Sequence, residues 1–135
     1  MTLLEKQFIF AENVPKLINF IFAQGYTCSL GEALRTNEQA WINAQPKNTL
    51  LATVDKKGNP IKIYPALVGG TGIAKSVHML KLAIDLNLFK DSAYITDSES
   101  HKIFGEFWKS LHPDFRWGGD WGDGNHYSME HEGVK

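Results

Sequence analysis

SVHMLKLAIDLNL, residues 76–88, changes character half-way along. From Leu82 to Leu88 it alternates: Leu82, Ile84, Leu86 and Leu88 share one face, and Ala83, Asp85 and Asn87 share the other. That is a strand whose leucine side enters the core and whose Asp85 points away from it on a rigid support. His78 stands seven residues before Asp85, so an unbroken strand would place the two on opposite faces. For imidazole and carboxylate to meet, a turn or bulge has to fall within residues 79–81. Further along, DGNH (residues 123–126) places Asp123 and His126 one tight turn apart. His78, Asp85 and His126 would make a three-ligand set that suits Zn²⁺ with one position open for water. Asp123 is then left as a base that does not bind the metal. Spacing alone leaves two readings open, a metal site or a group of buried polar residues.

Working outward, the chain of 135 residues is long enough for one domain, residues 1–135, with a single substantial core. A formal net charge of −1 gives no electrostatic argument for nucleic acid or an anionic membrane as partner. No apolar run approaches the roughly 20 residues of a membrane span. The opening MTLLEKQFIF lacks the basic, apolar and small-residue regions of a signal peptide, which implies synthesis in a cytoplasm. Cys28 is the single cysteine, which excludes an intramolecular disulfide, and it reads as a buried, inert thiol. No internal repeat, low-complexity segment or domain linker is visible.

Leu4, Phe8, Ala11, Val14, Leu17, Ile18, Ile21 and Phe22 recur at helical spacing, so residues 3–24 read as an amphipathic helix that stops at Gly25. Pro15 should kink it or begin a fresh helix. Residues 26–34 read as a short strand entering a turn at Gly31. Thr36 with Gln39 fits a capping box, so a second helix should start at Asn37 and end at Pro46. Arg35 then precedes a helix N-terminus, where a cation is misplaced unless it meets an anionic group, and a surface arginine is the bland alternative. LLATVDKKGNPIKIY, residues 50–64, reads as two short strands around a turn. Gly69, Gly70 and Gly72 lack phosphate-loop spacing and read as a cleft rim. Thr96 with Glu99 forms another capping box for a helix striped by Ile103, Phe104, Phe107, Trp108 and Leu111 that ends before Pro113. A compact aromatic loop and a last strand close the chain. Of the remaining histidines, His101 and His112 read as solvated or capping, and His131 as a supporting group at most.

Three blocks carry a resemblance. SVHMLKLAID resembles the S-x-H-x-x-G-x-A-x-D motif of the zinc D-alanyl-D-alanine carboxypeptidase and L-alanyl-D-glutamate peptidase family. WGGDW (residues 117–121) with DGNHY (residues 123–127) resembles its closing W-G-G-D-W and D-x-x-H-F segments. EALRTNEQ (residues 32–39) resembles its upstream arginine motif. The blocks occur in the family's order over residues 32–127. Lys81 stands where the motif usually has glycine, and the segment between Trp121 and Asp123 is short.

The resemblance implies an α+β fold, a small antiparallel sheet with packed helices like that of the Hedgehog signalling domain and the D-alanyl-D-alanine peptidases. It implies Zn²⁺ on His78, Asp85 and His126, with Asp123 as catalytic base. Arg35 would contact the substrate or the developing oxyanion, and Gln39 and Ser76 would help shape the substrate site. The substrate would be the peptidoglycan stem peptide. The expected protein is a monomeric phage-type L-alanyl-D-glutamate endopeptidase, an endolysin acting on the wall after release from an infected host. A D-alanyl-D-alanine carboxypeptidase is the alternative within the family. A non-catalytic zinc-binding module and a metal-free structural phage protein are the alternatives outside enzymology.

Overall fold

The structure, a computed structural model, describes residues 1–44, 50–65 and 75–135. The chain forms two compact units. The first joins Met1–Leu34 to Val77–Lys135, and the second is Arg35–Ser76.

The first unit is helices packed on a five-stranded antiparallel sheet, an α+β fold as the sequence implied. The central strand is β4, Ala83–Lys90. One of its edges carries β1, Thr27–Leu30; the other carries β7, His126–Met129, and then β5, Ala93–Ile95. A further strand, β6, Phe115–Trp117, pairs with β7 and lies inside the stretch expected to be loop. Leu82, immediately before β4, and Leu86 and Leu88 on its leucine face are buried in a core shared with residues of the packed helices. Each such side chain contributes about 1.5–3 kcal/mol relative to exposure. Asp85 and Asn87 are only partly buried on the opposite face, as the alternation required.

Helix α1, Leu3–Ala23, closes the leucine side with Phe10, Leu17 and Ile21. It begins with a capping box in which Thr2 and Glu5 satisfy each other's backbone N–H. It runs through Pro15 as one helix, not two. Its packing outweighs the single hydrogen bond that proline forfeits. Helix α3, Lys102–Leu111, contributes Phe104 and Trp108, while Ile103 faces outward. Trp108 stacks on Phe115 with ring centroids 3.9 Å apart and receives the edge of Phe10 at 5.5 Å. Its indole N–H donates to the Ser128 carbonyl at 2.9 Å, tying α3 to β7.

The start of that helix differs from the expected Thr96–Glu99 box. Asp97 is the residue that accepts, from the Ser100 backbone N–H at 2.7 Å and its hydroxyl at 2.9 Å. The short carboxylate reaches the orphan N–H directly, which leaves the box without a function. A turn of 3-10 helix, Glu99–His101, leads into α3 and swings His101 inward, where it is buried, contrary to the solvated position expected for it. His112 follows the helix in an extended conformation, and its Nδ1 accepts from the Asp114 N–H at 3.1 Å, a bond in the turn beyond the helix and not to its last carbonyls.

In the second unit, α2, Asn37–Ala44, begins where the sequence placed it, and Thr36 Oγ1 accepts from the Gln39 N–H at 3.2 Å. β2, Leu50–Val54, and β3, Pro60–Pro65, form the expected hairpin. Asp55 organises its turn by accepting from the Lys57 and Asn59 N–H groups at 2.8 and 2.9 Å. Pro46 and the run of Gly69, Gly70 and Gly72 lie outside the described residues.

The turn demanded between His78 and β4 is present. Residues Val77–Leu80 form one turn of 3-10 helix, and Lys81 reverses the chain with φ 57°. That left-handed conformation explains why glycine suits this place in the motif, since any Cβ there is strained. Lys81→Gly is therefore expected to keep or raise stability by up to about 1 kcal/mol, and the β-branched Lys81→Val to lower it by about 1–2 kcal/mol. Chemical denaturation of the three proteins measures this; equal midpoints for valine and lysine would mean the turn can relax.

Candidate metal centre and active site

Two adjacent strands and one turn bring the three expected ligands together. Asp85 on β4 and His126 on β7 are direct cross-strand partners, so the sheet's register alone sets them side by side. The 3-10 turn places His78 above them. His78 Nε2, Asp85 Oδ1 and His126 Nδ1 then form a triangle with every edge 3.2 Å. The imidazole rings meet edge to face, with centroids 5.0 Å apart.

That triangle can be tested against a metal. Bonds of about 2.0–2.1 Å in tetrahedral coordination put ligand atoms about 3.3 Å apart. The observed edges match one face of such a tetrahedron. No single proton can serve three edges at once, whereas one cation can serve three lone pairs. His78 is 2% and His126 7% exposed, while Asp85 is open enough to reach solvent. Burial pushes the Asp85 carboxyl upward, but hydrogen bonds from His126 and His78 outweigh it and hold it at about 2. The group is thus ionised across the neutral range, as a ligand must be. Two imidazoles and a carboxylate suit zinc and other borderline divalent ions. The donor set and its spacing fit the group the motif implied.

Asp123 lies on the loop that enters β7, with its side chain exposed. The loop is pinned at four points. Asp123 N–H donates to the Gly118 carbonyl at 2.8 Å, and His126 N–H donates to the Asp123 carbonyl at 3.1 Å, closing the turn. Gly124 N–H donates to Ser98 Oγ at 3.1 Å, and the Trp117 indole donates to the Gly124 carbonyl at 2.8 Å. Gly118 runs directly beneath this loop. A Cβ there would collide with the Asp123 carbonyl oxygen and stand 2.7 Å from His126 Cβ. The Trp117 ring is in turn wedged between the backbones of Gly105 and Gly119, with no room for a side chain at either. The two glycines of WGGDW thus let the backbone of Asp123 and the Trp117 ring pack closely beside His126. Trp121 is exposed and tilts against the His126 ring at 5.9 Å, forming a wall beside it.

Beside the loop, Thr96, Ser98, His101, Asp123 and Asn125 line a pocket of about 130 Å³. Burial depresses the His101 basicity, so this imidazole favours its neutral form. Its Nδ1 lies 3.4 Å from the Tyr127 hydroxyl. His131 pairs by backbone with Val134 and takes no part in the triangle. Arg35, Gln39 and Ser76 belong to the second unit. Arg35 immediately precedes the Thr36 cap of α2, and Gln39 Nε2 donates to Asn43 Oδ1 at 2.6 Å. Reading the sequence alone missed Ser98 and the packing role of Trp117. The closely spaced glycines around Trp117 were the available signal for the second, and nothing in sequence marked the first.

A family model described as D-alanyl-D-alanine carboxypeptidase matches residues 69–129, which contain the triangle and the Asp123 loop. The match bears out the resemblance carried by SVHMLKLAID, WGGDW and DGNHY, and the EALRTNEQ block lies outside it. No curated protein matches the chain.

The geometry makes each corner of the triangle indispensable, because a three-ligand site cannot spare one. His78→Ala, Asp85→Ala and His126→Ala are each expected to lose the bound divalent ion and the thermal stabilisation that comes with it. Elemental analysis of protein purified without added metal checks this. Full stoichiometry in any variant removes that residue from the ligand set.

Proposed function

Because residues 69–129 carry the signature of the D-alanyl-D-alanine carboxypeptidase family, we propose that the protein is a zinc-dependent peptidoglycan peptidase with His78, Asp85 and His126 as its ligands. The observation that carries this reading is the 3.2 Å triangle of two imidazole nitrogens and one carboxylate oxygen, with an exposed aspartate on the adjoining turn.

Zn²⁺ held there would supply a Lewis acid that lowers the pKa of a water from ~15.7 toward ~7. The chain's own residues do the rest. Asp123 accepts the water's proton and passes it to the leaving amine, a contribution of roughly 10²–10⁴-fold. The turn through Gly124 and Asn125 keeps the Asp123 side chain in solvent while its backbone is bound to Gly118, so the base is exposed yet fixed. Trp121 offers the substrate a flat apolar surface beside His126. Arg35 supplies a planar cation for the substrate or for charge developing on the carbonyl oxygen. Gln39 and Ser76 help shape the peptide site.

Among the bonds of the stem peptide we favour the one between L-Ala and D-Glu, cut by a phage-type endolysin that acts as a monomer after release from the host cytoplasm. The W-G-G-D-W segment supports it, as does the logic that lysis needs cross-linked wall to be broken. The family's description names the carboxypeptidase, and removal of a terminal D-Ala is the second reading.

Digestion of purified muropeptides followed by mass spectrometry separates the two. Release of the stem peptide from MurNAc-L-Ala supports the endopeptidase. Loss of one terminal alanine with the L-Ala–D-Glu bond intact overturns it in favour of the carboxypeptidase. In the same digest Asp123→Asn is expected to keep zinc and lose roughly 10²–10⁴ in rate, because an amide cannot accept the proton. Wild-type digestion by that variant would place the base elsewhere.

Arg35→Ala is expected to retain zinc and fold while losing about 10²–10³ in turnover. Arg35→Lys should recover little of it, since a point charge does not reproduce the planar fork. Cleavage by Arg35→Ala at the wild-type rate would return Arg35 to the status of a surface arginine.

A further inference from the structure

Glu32 stands directly beyond β1, and its backbone is fastened to the metal-site strand. Gly31 N–H donates to the Asp85 carbonyl at 2.7 Å, and Asp85 N–H donates to the Glu32 carbonyl at 2.8 Å. Two residues, Gly31 and Glu32, therefore face the single residue Asp85. This is a β-bulge, which inserts one residue and re-aims the chain beyond it. The register just before it pairs Leu30 with Leu86 and Ser29 with Asn87. Continued without the bulge, the alternation would put Glu32 on the face of Leu86. With it, the Glu32 side chain reaches the face of Asp85, where His78 stands. Its Oε1 lies 3.8 Å from His78 Nδ1, the ring nitrogen on the other side from the triangle. The His78 side chain is 3% exposed and that of Glu32 32%, so the imidazole is shielded while the carboxylate keeps contact with solvent. Gly31 is the hinge that permits this: a Cβ there would stand 3.1 Å from Asp85 Cβ and 3.2 Å from its carbonyl oxygen.

We propose that Glu32 is a positioning residue for the metal centre, its carboxylate attracting the proton of His78 Nδ1 and thereby leaving the Nε2 lone pair directed at Asp85 and His126. The physical reason is the tautomer. A neutral imidazole carries one proton on one of two nitrogens, and only the Nδ1–H form presents Nε2 as a ligand. A carboxylate beside Nδ1 favours that form, fixes the ring plane and raises the basicity of Nε2. Glu32 touches neither substrate nor reacting atoms; it acts through His78. Arg35 lies three residues further along the same segment, which follows β1 and precedes α2.

The inference rests on the metal reading above, and its test separates the two. Zinc affinity is measured by competition with a chromogenic chelator for the wild type, Glu32→Ala and Glu32→Gln, and the melting temperature of each metal-stripped protein is measured alongside. Glu32→Ala is expected to bind zinc roughly 10–100-fold more weakly. Glu32→Gln should fall between, since its amide oxygen still presents a partial negative charge towards Nδ1 but brings no full charge. The metal-stripped proteins should melt together, because the bulge is held by backbone bonds. Equal zinc affinity in the wild type and Glu32→Ala overturns the inference and leaves the metal reading intact. A fall in metal-stripped melting temperature that tracks the loss of affinity, with no recovery in Glu32→Gln, also overturns it, since Glu32 would then be structural. A wild type that takes up no zinc overturns the metal reading and the inference with it.

Discussion

The pairing of Asp85 with His126 across two antiparallel strands is the constraint on which the candidate site depends. A slip of one residue would send His126 to the opposite face of the sheet and dissolve the triangle. Several interactions outside the site resist that slip. Met129 N–H donates to the Leu82 carbonyl at 2.8 Å, and Leu86 N–H to the Asn125 carbonyl at 2.9 Å, locking β7 to β4 at both ends. Tyr127 and Met129 are wholly enclosed, and Trp108 holds the intervening carbonyl of Ser128. The register is thus maintained by the core, and the polar cluster takes its geometry from a ladder that apolar packing stabilises.

The site also carries an unfavourable element. His126 Nε2 and Ser128 Oγ are buried without a hydrogen-bond partner among the described residues. Groups left so cost about 1–3 kcal/mol each. Strain at Lys81 adds to this. The stacked Trp108–Phe115 pair, Phe10 at its edge and the enclosed leucines of β4 surround this region and offset such costs. The pattern is that of a rigid apolar scaffold holding polar groups in a geometry they would not adopt alone.

The loop from Trp117 to Asn125 connects scaffold and chemistry. Gly118, Gly119 and Gly124 are needed because backbone and indole approach there more closely than a Cβ allows, whereas Gly122 meets nothing within 4 Å and is required by its φ of 91°. Ser98, three residues after β5, ties the same loop down from a distant part of the sequence. The exposed Asp123, the base proposed above, therefore sits on a loop whose backbone is held at several points. Exposure and rigidity are separate properties here, and a proton-transferring group benefits from both.

Much was legible in the chain before folding. Alternation from Leu82 to Leu88 determined the strand, its buried face and the outward direction of Asp85, because a pleated strand has a period of two. The mismatch between that period and the position of His78 required a reversal before Leu82, and the reversal occurs at Lys81. Helical spacing determined α1 and most of α3, and the motif blocks pointed to the family that residues 69–129 match. Tertiary structure decided what depends on long-range contact. It carried α1 through Pro15, buried His101, exposed Ile103, made a strand of Phe115–Trp117 and brought Glu32 to His78 through a bulge. Local sequence encodes period and caps; it does not encode which surface or backbone group from elsewhere in the chain a segment will meet, and each of these features depends on such a contact.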